Sequence, residues 1–252
     1  MIASHQVSLE EKRFDEIAIQ RLRDHEPPEG YWLAFSGGKD SVVIYDLAER
    51  AGVKFDAHFN RTTVDPPDVL SFIREQYPVV VWEKPKRSMF ELIRYKQALP
   101  TRIERFCCNN LKEIGGNGRT IITGIRWEES TARRSRLMYE ESYKRKNTWF
   151  LHPIIDWTTL DVWDYIRERR LPYCSLYNEG YNRIGCILCP FLSIKAKERD
   201  IEKYPRFYQA YLRQIQWLID HGKKWSMGNT AEEVMHWWIY GKHRPPRTRR
   251  TR

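Results

Sequence analysis

The stretch Ser36-Gly37-Gly38-Lys39-Asp40-Ser41 gathers hydroxyl, ammonium and carboxylate groups around two adjacent glycines. Such a set suits a phosphate: glycine lets the backbone come close, the hydroxyls donate, and lysine adds a compact positive charge. The spacing is not the G-x-x-x-x-G-K-[ST] of the large nucleoside-triphosphatase class, so γ-phosphate transfer is not what this loop points to. A second set is Gly124-Ile125-Arg126 with Arg133, Arg134 and Arg136 downstream. Guanidinium forks grip phosphate or sulfate at two points. Arg126 and Arg133 are expected at a ligand, whereas Arg134 and Arg136 also read as a solvated basic helix. The third set is sulfur: adjacent Cys107 and Cys108, and Cys186-Ile187-Leu188-Cys189. Four thiols in two close groups suit zinc or an iron–sulfur cube, and spacing alone does not choose. Inert buried thiols or a disulfide are the bland alternatives. Cys174 stands apart, either a packed apolar residue or a sulfur-handling thiol.

These residues need a scaffold, and the flanking patterns describe one. Residues 31–35 form an apolar, aromatic run that reads as a buried strand, and residues 42–48 have helical spacing, so the glycine pair sits in a strand-to-helix turn. The first amides of that helix have no internal partner and point at whatever occupies the turn. Further strands are expected over 53–60, 79–82 and 119–124, with helices opening at Pro66-Pro67 and running over 89–95. An amphipathic helix over 8–24 precedes them. Alternating strands and helices give the fold class: α/β, a doubly wound, mostly parallel sheet with helices on both faces, plus a C-terminal helical extension. Ligand sites in such sheets lie at the carboxyl ends of the strands, where Ser36, Asn60 and Gly124 would fall. The expected division is residues 1–30 as an N-terminal helix, 31–192 as the nucleotide domain with its cysteines, and 193–252 as a helical extension with a basic tail.

The loop at 36–41 resembles the pyrophosphate loop of the adenine nucleotide alpha-hydrolase-like superfamily, whose members split ATP between its α- and β-phosphates or bind adenylyl sulfates in the same cradle. Asn60-Arg61-Thr62 resembles, without the glycine, the Asp-Thr-Gly turn of sulfonucleotide reductases. Asn60 and Thr62 are then implied ribose or base contacts, and an ordinary polar turn is the other reading. Gly124-Ile125-Arg126 resembles that family's G-x-R element. The Cys-Cys plus Cys-x-x-Cys arrangement, with residues 152–157, 162–166, 172–173 and 176–185 in the family's order, is similar to the cluster-bearing adenylyl-sulfate reductases of the phosphoadenylyl-sulfate reductase-like family. The likeness covers residues 32–190. It implies a [4Fe–4S] cluster on Cys107, Cys108, Cys186 and Cys189, and ATP or adenylyl sulfate as substrate. Ser36, Gly37, Gly38, Lys39, Asp40, Ser41, Asn60, Thr62, Gly124 and Arg126 form the implied nucleotide site.

One departure bears on the chemistry. Reductases of that family carry a nucleophilic cysteine in a C-terminal Glu-Cys-Gly-type motif, and in this sequence no cysteine follows Cys189. The expectation is therefore an ATP pyrophosphatase that adenylates an acceptor for sulfur transfer, similar to the reductase-like enzymes of DNA phosphorothioation systems. Lys39, Arg126 and Arg133 would be its catalytic residues, and Mg2+ would bridge the phosphates with Asp40 as a direct or water-mediated ligand. A reductase that borrows Cys174 or a partner's thiol, and a non-enzymatic nucleotide- or redox-sensing module, are the other readings.

The 252 residues, 41% of them hydrophobic, can bury a sizeable core, and a formal net charge of +10 suits anionic partners. An adenine nucleotide accounts for part of that charge. The C-terminal Arg and Trp residues are compatible with a nucleic acid, by phosphate neutralisation and stacking. A cysteine desulfurase is the kind of sulfur donor such a reaction would use. Core or interface packing is the other reading of Trp237 and Trp238, and a homo-oligomer is left open. No apolar leader is seen, and no run approaches the ~18 apolar residues of a membrane helix. A cytoplasmic protein without membrane contact is expected, and five cysteines in a chain of this size argue against a secreted disulfide framework.

Overall fold

Alternation along residues 31–35 sets the centre of the fold. In the computed structural model, which describes residues 14–241, Tyr31, Leu33 and Phe35 of strand β1 (Tyr31–Phe35) are buried while Trp32 and Ala34 are half-buried. The strands continue as β2 (Phe55–Asn60), β3 (Val81–Glu83), β4 (Thr120–Ile122), β5 (Tyr139–Glu141) and β6 (Trp149–Leu151). They form one six-stranded sheet in the order β3-β2-β1-β4-β6-β5. β1 lies parallel to β2 and to β4, and β4 parallel to β6, while β5 runs antiparallel to β6. The expected parallel sheet is thus the observed one, enlarged by β5 and β6.

The helices are α1 (Phe14–Asp24), α2 (Lys39–Ala51), α3 (Pro67–Gln76), α4 (Met89–Lys96), α5 (Thr131–Arg134), α6 (Thr159–Arg169), α7 (Ile194–Lys203), α8 (Pro205–Asp220) and α9 (Ala231–Tyr240). The first residues of the expected N-terminal helix and the arginine-rich tail lie outside the described residues.

By compactness the described residues divide into two units whose segments interleave: residues 14–59, 72–81 and 115–181 form the first, and residues 60–71, 82–114 and 182–241 the second. In the first unit α2 is buried along Val42, Val43, Ile44, Leu47 and Ala48. Polar links tie it to its neighbours. Arg50 donates to Asp15 of α1 (2.8 Å) and to the Tyr165 hydroxyl of α6 (2.9 Å), and Tyr165 donates to Asp46 (2.5 Å). Thr158 and Asp161 close a capping box at the start of α6. In the second unit the core gathers Val64, Leu92, Ile93, Leu111, Ile187, Leu188, Tyr211, Ile215, Val234 and Trp238. Trp238 belongs to that core and donates its indole N–H to the Pro100 carbonyl (2.7 Å), while Trp237 packs against it part-buried.

Candidate functional site

β1 ends at Phe35 and α2 begins at Lys39, so three residues make the turn. Gly37 is left-handed (φ 71°), whereas Gly38, the residue before the helix, is extended at φ −83°. Gly37 is needed for its conformation, then, and Gly38 for its missing side chain. The Ser41 and Val42 amides donate to the Gly38 carbonyl. The Lys39 amide, first in the helix and without a helical acceptor, donates instead to the Tyr177 hydroxyl at 2.9 Å. Ser41 Oγ donates to the Gly38 carbonyl (2.7 Å), and Ser36 Oγ donates to Ser41 Oγ (3.2 Å) and accepts from the Gly38 amide (3.4 Å). Both hydroxyls therefore also hold the shape of the turn.

A chain of alternating charges runs from this turn. Lys39 Nζ lies 2.9 Å from Asp40 Oδ2, and Arg126 Nε lies 2.8 Å from Asp40 Oδ1. Arg126 is 2% exposed. Its remaining nitrogens donate to Glu128 (2.8 Å), the Trp157 carbonyl (3.2 Å) and Thr159 Oγ1 (3.3 Å). Glu128 in turn accepts from the Thr159 amide, the first residue of α6. Gly124 makes this possible, since a Cβ there would stand 2.9 Å from the Cβ of Asp40. Arg126 was expected to grip a phosphate; the structure places it inside the protein, where it orients Asp40 and ties α2 to α6. Arg133 is part-exposed on α5 and pairs with Glu129. Arg134 is exposed, and Arg136 pairs with Glu140.

Thr123 and His152 follow the neighbouring strands β4 and β6, and the Thr123 hydroxyl lies 2.7 Å from His152 Nδ1. His152 is fully buried, and burial, followed by the Arg136 charge, pushes its pKa down to about 4. In the sequence His152 and Tyr177 stand out only as members of the segments 152–157 and 176–185. Their partners, Thr123 at 29 residues and Lys39 at 138, leave no local spacing signal.

Asn60 and Thr62 belong to the second unit. Asn60 Nδ2 donates to the Lys112 and Ile114 carbonyls (2.9 and 3.0 Å), and its buried Oδ1 has no hydrogen-bond partner. Thr62 is fully buried, and its amide and hydroxyl both donate to Asp65 at 2.7 Å.

The two cysteine pairs share this unit. Cys108 follows Cys107 into a short π-helical turn, and the CxxC turn passes through Leu188 in the left-handed region (φ 56°). Cys107 donates to Cys108, which with burial and the charges of Cys108, Cys186 and Cys189 raises its own pKa. The same hydrogen bond, with Arg105 and Lys112 adding positive charge, holds Cys108 down at about 5. Burial raises Cys186. The four thiols are electrostatic neighbours, and a sulfur set in which Cys108 is held as the thiolate beside two cations suits a soft metal. Among the described residues, no group of three or more His, Cys, Asp or Glu side chains converges in a metal-holding arrangement. None of the five cysteines is in a disulfide, and Cys174 is buried.

A parallel α/β sheet whose first strand feeds a glycine turn and a helix N-terminus defines a nucleotide-binding class of fold. The chain belongs to the family described as the phosphoadenosine phosphosulfate reductase domain, which matches residues 30–192. An adenosine 5'-phosphosulfate reductase of Oceanobacillus iheyensis is 31% identical over 171 residues, covering 62% of this chain and 69% of the relative. An uncharacterised protein of Methanocaldococcus jannaschii is 28% identical over 231 residues, 85% of this chain but 52% of its own length. The chain thus spans about half of that archaeal relative. The crystal structure of a phosphoadenylyl-sulfate reductase from Candida auris, a phosphate complex, shares the fold at TM-score 0.51 and 19% identity, over 71% of this chain and 97% of that one. A Candida glabrata FMN adenylyltransferase in complex with ATP does so at TM-score 0.51 and 16% identity, over 74% and 65%. Among the described residues no helix is long and apolar enough to cross a membrane.

Proposed function

We propose that this chain is an ATP pyrophosphatase that adenylates an acceptor, a nucleic acid, as the first stage of sulfur transfer. The observation that carries the reading is the turn at 36–41: amide donors, a paired lysine and two hydroxyls stand together at the start of α2, while Cys174, the cysteine within that unit, is fully buried. The site offers anion stabilisation and no exposed thiol of its own.

An acceptor oxygen attacks the α-phosphorus of ATP, and the bond to the bridging oxygen breaks with pyrophosphate leaving as the anion. Lys39 and the loop amides stabilise the charge that grows on the departing phosphates. Arg133, part-exposed on α5, supplies further positive charge, and Arg126 acts through Asp40 as a positioning residue. Both oxygens of Asp40 are engaged by Lys39 and Arg126, so contact with a phosphate-bound Mg2+ would require one of these cations to yield. The adenylyl group turns the acceptor oxygen into a leaving group. A persulfide sulfur delivered by a partner such as a cysteine desulfurase displaces AMP, and a second thiol cleaves the sulfur–sulfur bond that remains. Cys107, Cys108, Cys186 and Cys189 would hold a [4Fe–4S] cluster, which when bound supplies structural and electrostatic support.

The second reading, reduction of adenylyl sulfate with a thiol supplied in trans, is favoured by the relatives named as adenosine 5'-phosphosulfate reductases. One panel separates the two. Anaerobically purified protein is offered ATP with duplex DNA, and separately adenylyl sulfate with a dithiol. AMP and pyrophosphate, formed in the presence of the acceptor, are the expected products. Sulfite from adenylyl sulfate selects the reductase, and ADP with phosphate rules out both.

A further inference from the structure

We propose that the Tyr177 hydroxyl and a phosphate oxygen of the substrate compete for one position in the turn, so that Tyr177 is a displaceable residue of the phosphate site; this rests on reading residues 36–41 as a phosphate cradle. The Lys39 amide is the first donor of α2, and Tyr177 Oη accepts from it at 2.9 Å. The same oxygen would stand 3.5 Å from a Cβ built on Gly38. It therefore lies over the face that Gly38 leaves clear for a ligand. One N–H directs one strong hydrogen bond, so an anion that takes this amide displaces the hydroxyl.

The hydroxyl reaches this place from a separate element. Tyr177 closes the short 3-10 turn Ser175–Tyr177, and its ring meets Trp163 of α6 edge-on at 5.0 Å and Tyr173 at 6.4 Å. Trp163 also holds Tyr173 edge-on at 5.3 Å. Movement of Tyr177 changes the surroundings of the Trp163 indole, which makes phosphate binding visible in its emission. A hydroxyl that yields the amide also weakens apparent affinity by the fraction of molecules in which it holds it. A tyrosine that instead donated to the phosphate would strengthen binding, so the two roles differ in sign.

The test uses inorganic pyrophosphate and calorimetry on the full chain. Tyr177→Phe should bind pyrophosphate about fivefold more tightly than the unmodified protein, the effect of removing one competing hydrogen bond. Pyrophosphate should also change tryptophan emission in the unmodified protein, and Trp163→Phe should lose that change. Equal or weaker binding by Tyr177→Phe overturns the proposal, as does an emission change that persists undiminished in Trp163→Phe. The second measurement needs no change at Tyr177 and stands if Tyr177→Phe folds poorly. Gly38→Val tells the failures apart. If it binds pyrophosphate as well as the unmodified protein does, the cradle reading itself falls and this inference with it. If it abolishes binding while Tyr177→Phe is neutral, only the competition is wrong.

Discussion

A histidine buried in its neutral form ties stability to pH, and His152 is such a residue. Its ring is fully buried, with Thr123 on Nδ1 and Arg136 near Nε2 at 3.4 Å. Burial and the charges of Arg136 and Arg133 disfavour the imidazolium, and Glu140 only partly opposes them. Its folded pKa is about 4, against roughly 6.5 in an unfolded chain. The unfolded state therefore binds more protons between these values, and stability rises with pH across the window. The contribution is complete above about pH 6.5 and, on the order of 3 kcal/mol, is lost as pH falls through the folded value near 4. His152→Gln, which cannot titrate, should give a flatter melting-temperature profile from pH 7 to 4. Profiles of equal slope for the two proteins would show that His152 does not carry this dependence.

At the scale of elements, the turn that presents Cys186 and Cys189 is held from α7. Asp200 of that helix is 3% exposed and accepts from the Leu188 amide at 2.9 Å, fixing a buried leucine in the left-handed region. A branched-side-chain residue sits there at a cost, and the carboxylate compensates for it. Asp200→Ala should lower stability by about 2 kcal/mol, the cost of a buried amide without its partner. It should also speed alkylation of Cys186 and Cys189 by a thiol reagent, followed by peptide mass spectrometry. Unchanged melting together with unchanged alkylation rates would remove Asp200 from this role.

The same scale shows what a sequence reader sees. β1 was legible because Tyr31 to Phe35 is an unbroken apolar, aromatic run of strand length, and α2 because its apolar positions recur at helical spacing. β5 and β6 were not. Each has three residues, and Tyr139-Glu140-Glu141 carries two carboxylates where a strand signal needs alternation. The glycine turn was legible as a likeness and as chemistry, but the work of Arg126 was not. Asp40 lies 86 residues away, and no local pattern says that a guanidinium beside a strand end will turn inward to a carboxylate. Thr62 is similar. Its hydroxyl looked available for a nucleotide, yet Asp65, three residues on, satisfies it.

For the molecule as a whole, the formal charge of +10 is unevenly placed along the chain. Lys242, Arg244, Arg247, Arg249, Arg250 and Arg252 fall in the last eleven residues, so removing 242–252 takes away six positive charges and leaves +4. If the acceptor is a nucleic acid, these charges add phosphate contacts without reading sequence. Each phosphate neutralised releases condensed counterions, and the logarithm of affinity then falls with the logarithm of salt by about 0.9 per contact. The full chain should bind random duplex DNA with a steep salt dependence. Truncation after Gly241 should reduce that slope by as much as about five, the limit in which all six cations reach phosphates. Pyrophosphate affinity, set by the turn at 36–41, should stay the same in the truncated protein and report that it is folded. A slope unchanged by truncation would remove the tail from DNA binding, and an affinity for DNA indifferent to salt in the full chain would remove the electrostatic basis for a nucleic-acid acceptor.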